Sequence, residues 1–516
     1  MNLDQKTKEG IIKLLSTSLG DKDYELECII GNMNNDNLNK EDFVNILKRF
    51  KGKAKYAKYT SNSVLSIHIS KDREYSKYNK NLSRVILSGN GLINLYNNSN
   101  KLDKIVDNVT FEKKYYDSKS NIKNSNRILN DDYNIRFNLK IEEKIDNNSE
   151  IVNQLLRDWA NIPKFFRRKQ TFSFYHQDND FRVDISIISQ SRNNKFVKTL
   201  KESGVLSNQN INYEVEVEYI GNKKPGVADS FKSNKDKGAK DNYLKSIYNN
   251  YSDIISTVLQ AKQQSLYLMT NQERQKANEK MNNLIKNNND DFFPTVVDLT
   301  RSNCIKLPLN NYNNTDYPPN IRMDYAVTDK ADGLRKLLFI NNQGKCYLKS
   351  RDRKNDDKYS LKFTGTVIQE YAYSIFDGEL IETTMDGKYI QNFYVFDAYV
   401  VKGVNLTGNP FGEPKNKEGR YYQVIQLEKY FNQSQGVLQD DSIPLLMRFK
   451  IFKKVYYFGD SHSKLTKIID KINIQKLDSQ DDRYDSKILE QANNILSKTN
   501  KKYGGLLEDG HMFSYP

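Results

Sequence analysis

Apolar and polar residues alternate with a period of two along much of the chain up to Gly221. Tyr213-Glu-Val-Glu-Val-Glu-Tyr219 is the plainest case, a strand with Glu214, Glu216 and Glu218 on one face. An early strand, Tyr24-Glu-Leu-Glu-Cys-Ile29, places Glu25 and Glu27 together in the same way. The strands between carry the opposite charge in the same rhythm. Tyr133–Glu142 aligns Arg136, Asn138, Lys140 and Glu142, and Phe166–Phe172 aligns Arg167, Lys169 and Thr171. Phe181–Ile187 aligns Arg182, Asp184 and Ser186, with Val183, Ile185 and Ile187 opposite. Helical spacing appears in Gln5 to Ser18, in Ser486 to Ser497, and most clearly from Tyr243 onward. There Leu244, Ile247, Tyr248, Tyr251, Ile254, Ile255, Val258 and Leu259 line one face.

If the alternating strands close into a barrel, their charged faces turn inward, where acids and bases neutralise one another around a metal and a polyphosphate. The expected organisation is a barrel domain over 1–221 and a polar linker over 222–242. A connecting helical segment over 243–290, packed between the domains, and a second domain over 291–516 complete it. The Asn-rich stretches Asp117 to Asp132 and Asn287 to Asp291 read as a loop and a breaker, with the second domain opening at Pro294.

That second domain carries Lys330-Ala-Asp-Gly-Leu-Arg335, the pattern KxDGxR. A lysine amine attacks phosphorus only when deprotonated, which calls for desolvation, neighbouring positive charge or a metal. Gly333 permits a tight turn under a phosphate, and Arg335 supplies a planar fork of donors. Downstream, Ile375-Phe-Asp-Gly-Glu-Leu-Ile381 sets Asp377 and Glu379 two apart on one strand face, suited to a metal or a ribose hydroxyl. Asn392–Tyr399 is an aromatic-rich strand, and Leu507-Glu-Asp-Gly-His-Met-Phe513 adds another carboxylate before an apolar run.

These four pieces, in this order, resemble motifs I, III, IIIa and IV of the superfamily of nucleic-acid ligases and mRNA capping enzymes. The N-terminal strands resemble the RNA 5′-triphosphatase branch of the triphosphate-tunnel metalloenzymes. The succession of the two is similar to the N-terminal part of capping enzymes of large DNA viruses. The fold this implies is α+β, an antiparallel β-barrel tunnel followed by a nucleotidyltransferase domain. The resemblance implies that Glu25, Glu27 and Glu218 ligate Mg²⁺ or Mn²⁺ and that Glu216 positions the attacking water. Arg136, Arg167, Lys169 and Arg182 would hold phosphates, Lys169 and Arg182 acting in catalysis, with Glu214 and Asp184 in support. The family's basic residue two positions after the first acidic pair is Ile29 here, so another tunnel strand must supply that charge.

In the second domain the resemblance makes Lys330 the nucleophile that takes up GMP from GTP and passes it to diphosphate-ended RNA. Asp332, Gly333, Arg335 and Glu379 would bind the nucleotide, Phe396 would stack on the base, and Asp509 would help hold the metal. Arg351 or Arg353 would reach the sugar. The motifs leave GTP and ATP open: a ligase shares them but needs no tunnel, and a non-enzymatic RNA- or polymerase-binding platform is the other alternative. The family continues past the fourth motif with a paired-lysine strand, an oligonucleotide-binding-type domain and commonly a methyltransferase. The sequence ends at Pro516, from which a competent triphosphatase and weak or absent self-guanylylation are expected.

Composition changes this picture little. The formal charge of +15 favours a polyanionic partner such as 5′-triphosphate RNA. Cys28, Cys304 and Cys346 are far apart, without zinc spacing, and point to a reducing compartment; the expected location is cytoplasmic, or a viral factory or virion if the chain is viral. The four histidines are scattered, and no apolar run reaches membrane length.

Overall fold

The computed structural model describes all residues except 2, 32–36, 57, 71, 117–125, 208–210, 286–297, 299, 301–302, 304–325, 331–332, 351–360, 385–388, 434–435, 459–510 and 515–516. The chain forms two units, Met1–Asn271 and Gln272–Pro516.

In the N-terminal unit the strands are β1 (Tyr24–Ile30), β2 (Lys58–Ile69), β3 (Arg84–Ser88), β4 (Val109–Tyr115), β5 (Arg127–Asn130), β6 (Ile135–Ile145), β7 (Lys164–Tyr175), β8 (Phe181–Gln190) and β9 (Ile211–Tyr219). Their order is β1-β9-β8-β7-β2-β3-β4-β6-β5, and β1 also pairs with β6. Eight strands therefore close on themselves, all antiparallel, with β5 appended outside β6. The period-two alternation explains the cross-section. Leu26, Cys28, Phe137, Val183, Ile185, Val215 and Val217 turn outward beneath the helices Gln5–Ser18, Lys40–Lys51 and Lys237–Gln263. Around the other half, Leu65, Ile67, Val85, Leu87, Phe111 and Phe166 pack against Tyr78, Ile93, Tyr96, Val152, Leu155 and Trp159. The apolar cores thus lie outside the barrel and the polar faces line its lumen.

Two differences from the sequence reading concern the segment after β9. The stretch expected as a flexible linker, 222–242, carries the helix Val227–Ser233 and the first turns of the helix Lys237–Gln263. It is tied down at its start, where the buried Asn222 amide donates to the carbonyls of Asp21 (3.1 Å) and Tyr24 (2.8 Å). The Lys237–Gln263 helix packs its apolar face on the barrel, with the Tyr251 hydroxyl donating to Val217 O at 2.8 Å. Strands β1, β6, β8 and β9 have an apolar outer face to cover, and this helix covers it. The boundary falls after Asn271, within a helix (Asn271–Ile285) whose Glu273 pairs with Lys345 of the C-terminal unit at 3.0 Å.

The C-terminal unit contains β10 (Ala326–Asp329), β11 (Leu334–Ile340), β12 (Lys345–Ser350), β13 (Leu361–Ile368), β14 (Ser374–Thr383), β15 (Tyr389–Val401), β16 (Val404–Asn405), β17 (Val437–Gln439), β18 (Phe449–Lys453) and β19 (His511–Ser514). Its main sheet runs β16-β15-β14-β11-β12-β13-β17, and β18 pairs parallel to β15. The helix Arg420–Asn432 covers one face through Tyr421, Val424 and Leu427. A separate pair joins β10 to β19. Among the described residues no helix is long and apolar enough to cross a membrane.

Candidate active sites

Strand register brings the lumen carboxylates together. Glu27 of β1 lies opposite Glu218 of β9 and, on its other side, opposite Asn138 of β6; Glu25 lies opposite Lys140. Like charges directly across a ladder repel, so this arrangement needs cations. They come from other strands of the barrel and from the segment after β9. Lys114 of β4 bridges Glu25, Glu142 (2.8 Å) and Glu27 (3.9 Å). Lys140 pairs with Glu27 at 2.6 Å, and Glu218 receives Arg182 and, at 2.7 Å, Lys223. Arg84 of β3 joins Glu112 to Glu142. Farther along the lumen Arg167 forks onto Glu214 (3.0 and 2.8 Å), and Lys169 touches Glu214 (3.3 Å) and Glu216. Asp184 connects the groups, taking hydrogen bonds from Arg182 Nε (3.1 Å) and Ser173 Oγ (2.6 Å).

The charges respond to this crowding. Burial pushes the Glu25 carboxyl up to about 8; Lys114 opposes this, while Glu218, Glu27 and Glu142 add to it. Glu142 goes the other way, down to about 2, because Lys114 outweighs the cost of its burial. Burial and Glu216 raise Glu214, whereas Lys169 overcomes burial to hold Glu216 far below the usual carboxylate range.

All the tunnel residues singled out from sequence face this lumen, Arg136 included by the parity of β6. Arg136 Nε and Asn138 Oδ1 are buried with no hydrogen-bond partner among the described residues. Sequence reasoning missed Lys114, Arg84, Glu112 and Lys223. Lys114 and Arg84 bring positive charge to the Glu25, Glu27 and Glu142 carboxylates. Their signal was short: Glu112 and Lys114 alternate with Val109 and Phe111 over a single brief strand, and Arg84 opens another. Lys223 sits in the segment read as linker.

Among the described residues no three acidic, His or Cys side chains form a ready-made metal cluster, because lysines and arginines stand between them. The donor chemistry nevertheless fits a hard divalent cation. Glu25, Glu27 and Glu218 offer oxygen ligands, and the partnerless Asn138 Oδ1 lies beside them, its Nδ2 donating to Glu27 at 3.1 Å.

In the C-terminal unit β10 ends at Asp329, and the exposed Lys330 follows. Gly333 N donates to Glu379 Oε1 at 3.1 Å. A Cβ on Gly333 would stand 2.8 Å from both Glu379 Cγ and Leu380 O, so only glycine lets this turn sit on β14. Arg335 lies opposite Glu379 and forks onto Asp377, Nε to Oδ1 at 3.2 Å and Nη2 to Oδ2 at 2.5 Å. Its guanidinium also lies 5.6 Å from the centre of the Phe396 ring. Asp377 is fully buried and takes a further bond from the Tyr399 hydroxyl (2.6 Å), so here it positions Arg335. Phe396 is itself part of the apolar core. The buried Lys454, not anticipated from sequence, comes 3.8 Å from Glu379. Pairing of β19 with β10 sets His511 opposite Asp329, which brings the end of the fourth motif to the strand before Lys330. Asp332, Asp509, Arg351, Arg353, Cys304, Pro294 and the expected helix Ser486 to Ser497 lie outside the described residues.

Residues 262–483 match the family model of the mRNA capping enzyme catalytic domain. That match falls almost wholly within the C-terminal unit. The sequence expectation of a capping-enzyme domain behind a barrel is thereby met, and a role in mRNA capping is supported. Among solved structures, similarity is found to the RNA triphosphatase domain of a trifunctional mimivirus mRNA capping enzyme. It has 17% identity, covers 49% of this chain and 100% of that one, and gives a TM-score of 0.31. A triclinic form of the mimivirus capping enzyme triphosphatase gives 17%, 44%, 94% and 0.30 for the same quantities. The S. pombe Pct1 RNA triphosphatase gives 13%, 51%, 94% and 0.29. The barrel stands on its own strand pairing rather than on these likenesses.

Proposed function

We propose that the chain performs the first two reactions of mRNA capping, one in each unit. The observation that carries this reading is the closed lumen lined by opposed acidic and basic ladders, joined on one chain to a capping-enzyme catalytic domain.

In the barrel, Arg136, Arg167, Lys169 and Arg182 hold the 5′-triphosphate of an RNA. Arg136 is the readiest of them, since its buried Nε has no hydrogen-bond partner among the described residues. Glu216, kept ionised by Lys169, orients the water that attacks the γ-phosphorus; the bond to the β-phosphate oxygen breaks and inorganic phosphate leaves. Glu25, Glu27 and Glu218, with Asn138 Oδ1, would hold Mg²⁺ or Mn²⁺. That ion supplies neutralisation of the developing phosphate charge.

In the second unit Lys330 Nζ, once deprotonated, forms a P–N bond to the α-phosphorus of GTP as the bond to pyrophosphate breaks. The β-phosphate of the trimmed RNA then takes the GMP. Arg335 is fixed by Asp377 and Tyr399 for contact with the nucleotide, and Glu379 steadies the Gly333 turn.

Release of label from γ-labelled triphosphate RNA, dependent on divalent metal and lost in Glu27→Ala, is the test of the first step. Covalent labelling by α-labelled GTP but not ATP, lost in Lys330→Ala, tests the second. ATP labelling instead would indicate a ligase-type enzyme.

A further inference from the structure

Strand β2 outruns its neighbour. It pairs with β7 along its whole length, Lys58 to Ile69, but with β3 only from Val64 to Ile67. Residues 58–62 therefore form a lip with a partner strand on one side, and all five are exposed. Lys58, Thr60 and Asn62 register with Tyr175, Ser173 and Thr171. Ser173 and Thr171 are lumen residues, bonded to Asp184 and Ser186, and Tyr175 registers with Arg182. The polar side of the lip thus continues the lumen wall outward at the end where Arg182 and Glu218 lie. Lys58 Nζ sits 5.1 Å over the half-buried Tyr175 ring.

Behind the lip, six cations fall within eleven residues: Lys48, Arg49, Lys51, Lys53, Lys55 and Lys58. The first three occupy the last turn of the helix Lys40–Lys51, where they complement its dipole. The other three lie beyond it and have no such role. Among the described residues none of the six is in an ion pair, whereas Lys114, Lys140, Arg167, Lys169 and Arg182 in the lumen are all paired. Burial, then Arg49 and Lys55, lower the pKa of Lys53, so these cations stand close enough to repel one another. Asp253, on the helix behind, is near enough to act on Tyr56 but leaves the group strongly positive.

We infer that this lip and the cations behind it hold the first nucleotides of a single-stranded RNA whose 5′-triphosphate occupies the lumen. Phosphates lie on Lys53, Lys55 and Lys58, and a base stacks on Tyr175. The inference rests on the triphosphatase reading. A ring beside unpaired cations and small hydroxyl and amide groups is how proteins take single strands without reading sequence. An acidic protein segment would use the charge but has no need of the ring.

The test uses the full chain and a 5′-triphosphate RNA of about ten nucleotides carrying thiouridine near the 5′ end, with photo-cross-links mapped by mass spectrometry. Adducts are expected in 48–62 or on Tyr175. The triple variant Lys53→Glu, Lys55→Glu, Lys58→Glu should lower their yield about tenfold, and by less as salt is raised. In phosphate-release kinetics, the ratio of KM for RNA to KM for inorganic triphosphate should rise in Tyr175→Leu. Adducts confined to other segments, an unchanged yield in the triple variant, or KM values that move together would overturn the inference. If the wild type releases no phosphate, the triphosphatase reading fails, while the cross-link map still decides the lip.

Discussion

Lys114→Met removes the cation on which the lumen carboxylates converge. Lys114 touches Glu25, Glu142 at 2.8 Å and Glu27 at 3.9 Å, with little of its side chain exposed. At an effective dielectric of about 20, the contact with Glu27 alone is worth about 4 kcal/mol before desolvation is subtracted. Removing the lysine also removes its own burial cost, so the terms do not add. Leaving buried carboxylates without their counter-charge costs about 3–5 kcal/mol net, and for a unit of this size that lowers Tm by about 10 °C. The sign with pH follows from the acids. Glu142, held at about 2, adds stability above its unfolded pKa that is lost as pH falls toward 2; without Lys114 that contribution shrinks to what Glu25 and Arg84 supply. Glu25, already raised to about 8, rises further, and a raised acid loses stability as pH climbs through its folded value. The deficit of the variant should therefore be largest near pH 8 and smallest near pH 4–5. Calorimetric scans of wild type and variant across that range, with and without Mg²⁺ or Mn²⁺, are the assay. A divalent cation should restore more Tm in the variant than in the wild type. A deficit below about 1 kcal/mol, or one indifferent to pH, would refute the reasoning.

Divalent-ion binding to the lumen should release protons at neutral pH and strengthen as pH rises through about 8, since Glu25, the proposed ligand, must ionise. Titration calorimetry in buffers of different ionisation heat reads this directly, and a proton count of zero would contradict it. Gly378→Ala should unfold the C-terminal unit alone, because the added Cβ would stand 2.4 Å from Phe393 Cζ and 2.7 Å from Tyr394 O. Overpacking of that kind costs about 1–3 kcal/mol or more, and a C-terminal unit unchanged in a thermal scan, its unfolding followed by proteolysis of that unit, would count against it. Lys164 is fully buried, with its ammonium on the carbonyls of Trp159 (2.6 Å) and Ile162 (2.7 Å), and burial lowers it to about 8. Between about 8 and its unfolded value the unfolded chain binds the extra proton, so this group makes stability rise with pH there. Lys164→Met should flatten that rise, measured as the difference between the two denaturation midpoints.

Local patterning was legible to the residue in places. The helix Gln5–Ser18, the outward faces of β1, β6, β8 and β9, and the apolar stripe from Leu244 to Leu259 follow from period alone, because burial of one face dictates which residues share it. The same parity placed Glu25, Glu27, Glu214, Glu216 and Glu218 on one side of their strands. The KxDGxR turn was legible because its chemistry lies in adjacent residues, and the Gly333 contact with Glu379 shows why that glycine is there. What period could not determine is which strands become neighbours. Closure of β1 on β6, which carries Lys114 and Arg84 to Glu25 and Glu142, depends on long-range register. The fate of 222–242 likewise depends on the Asn222 amide finding the carbonyls of Asp21 and Tyr24, some two hundred residues away. A sequence states what each face of an element will bury; only the tertiary structure decides against which partner, since that choice is made by contacts between residues far apart in the chain.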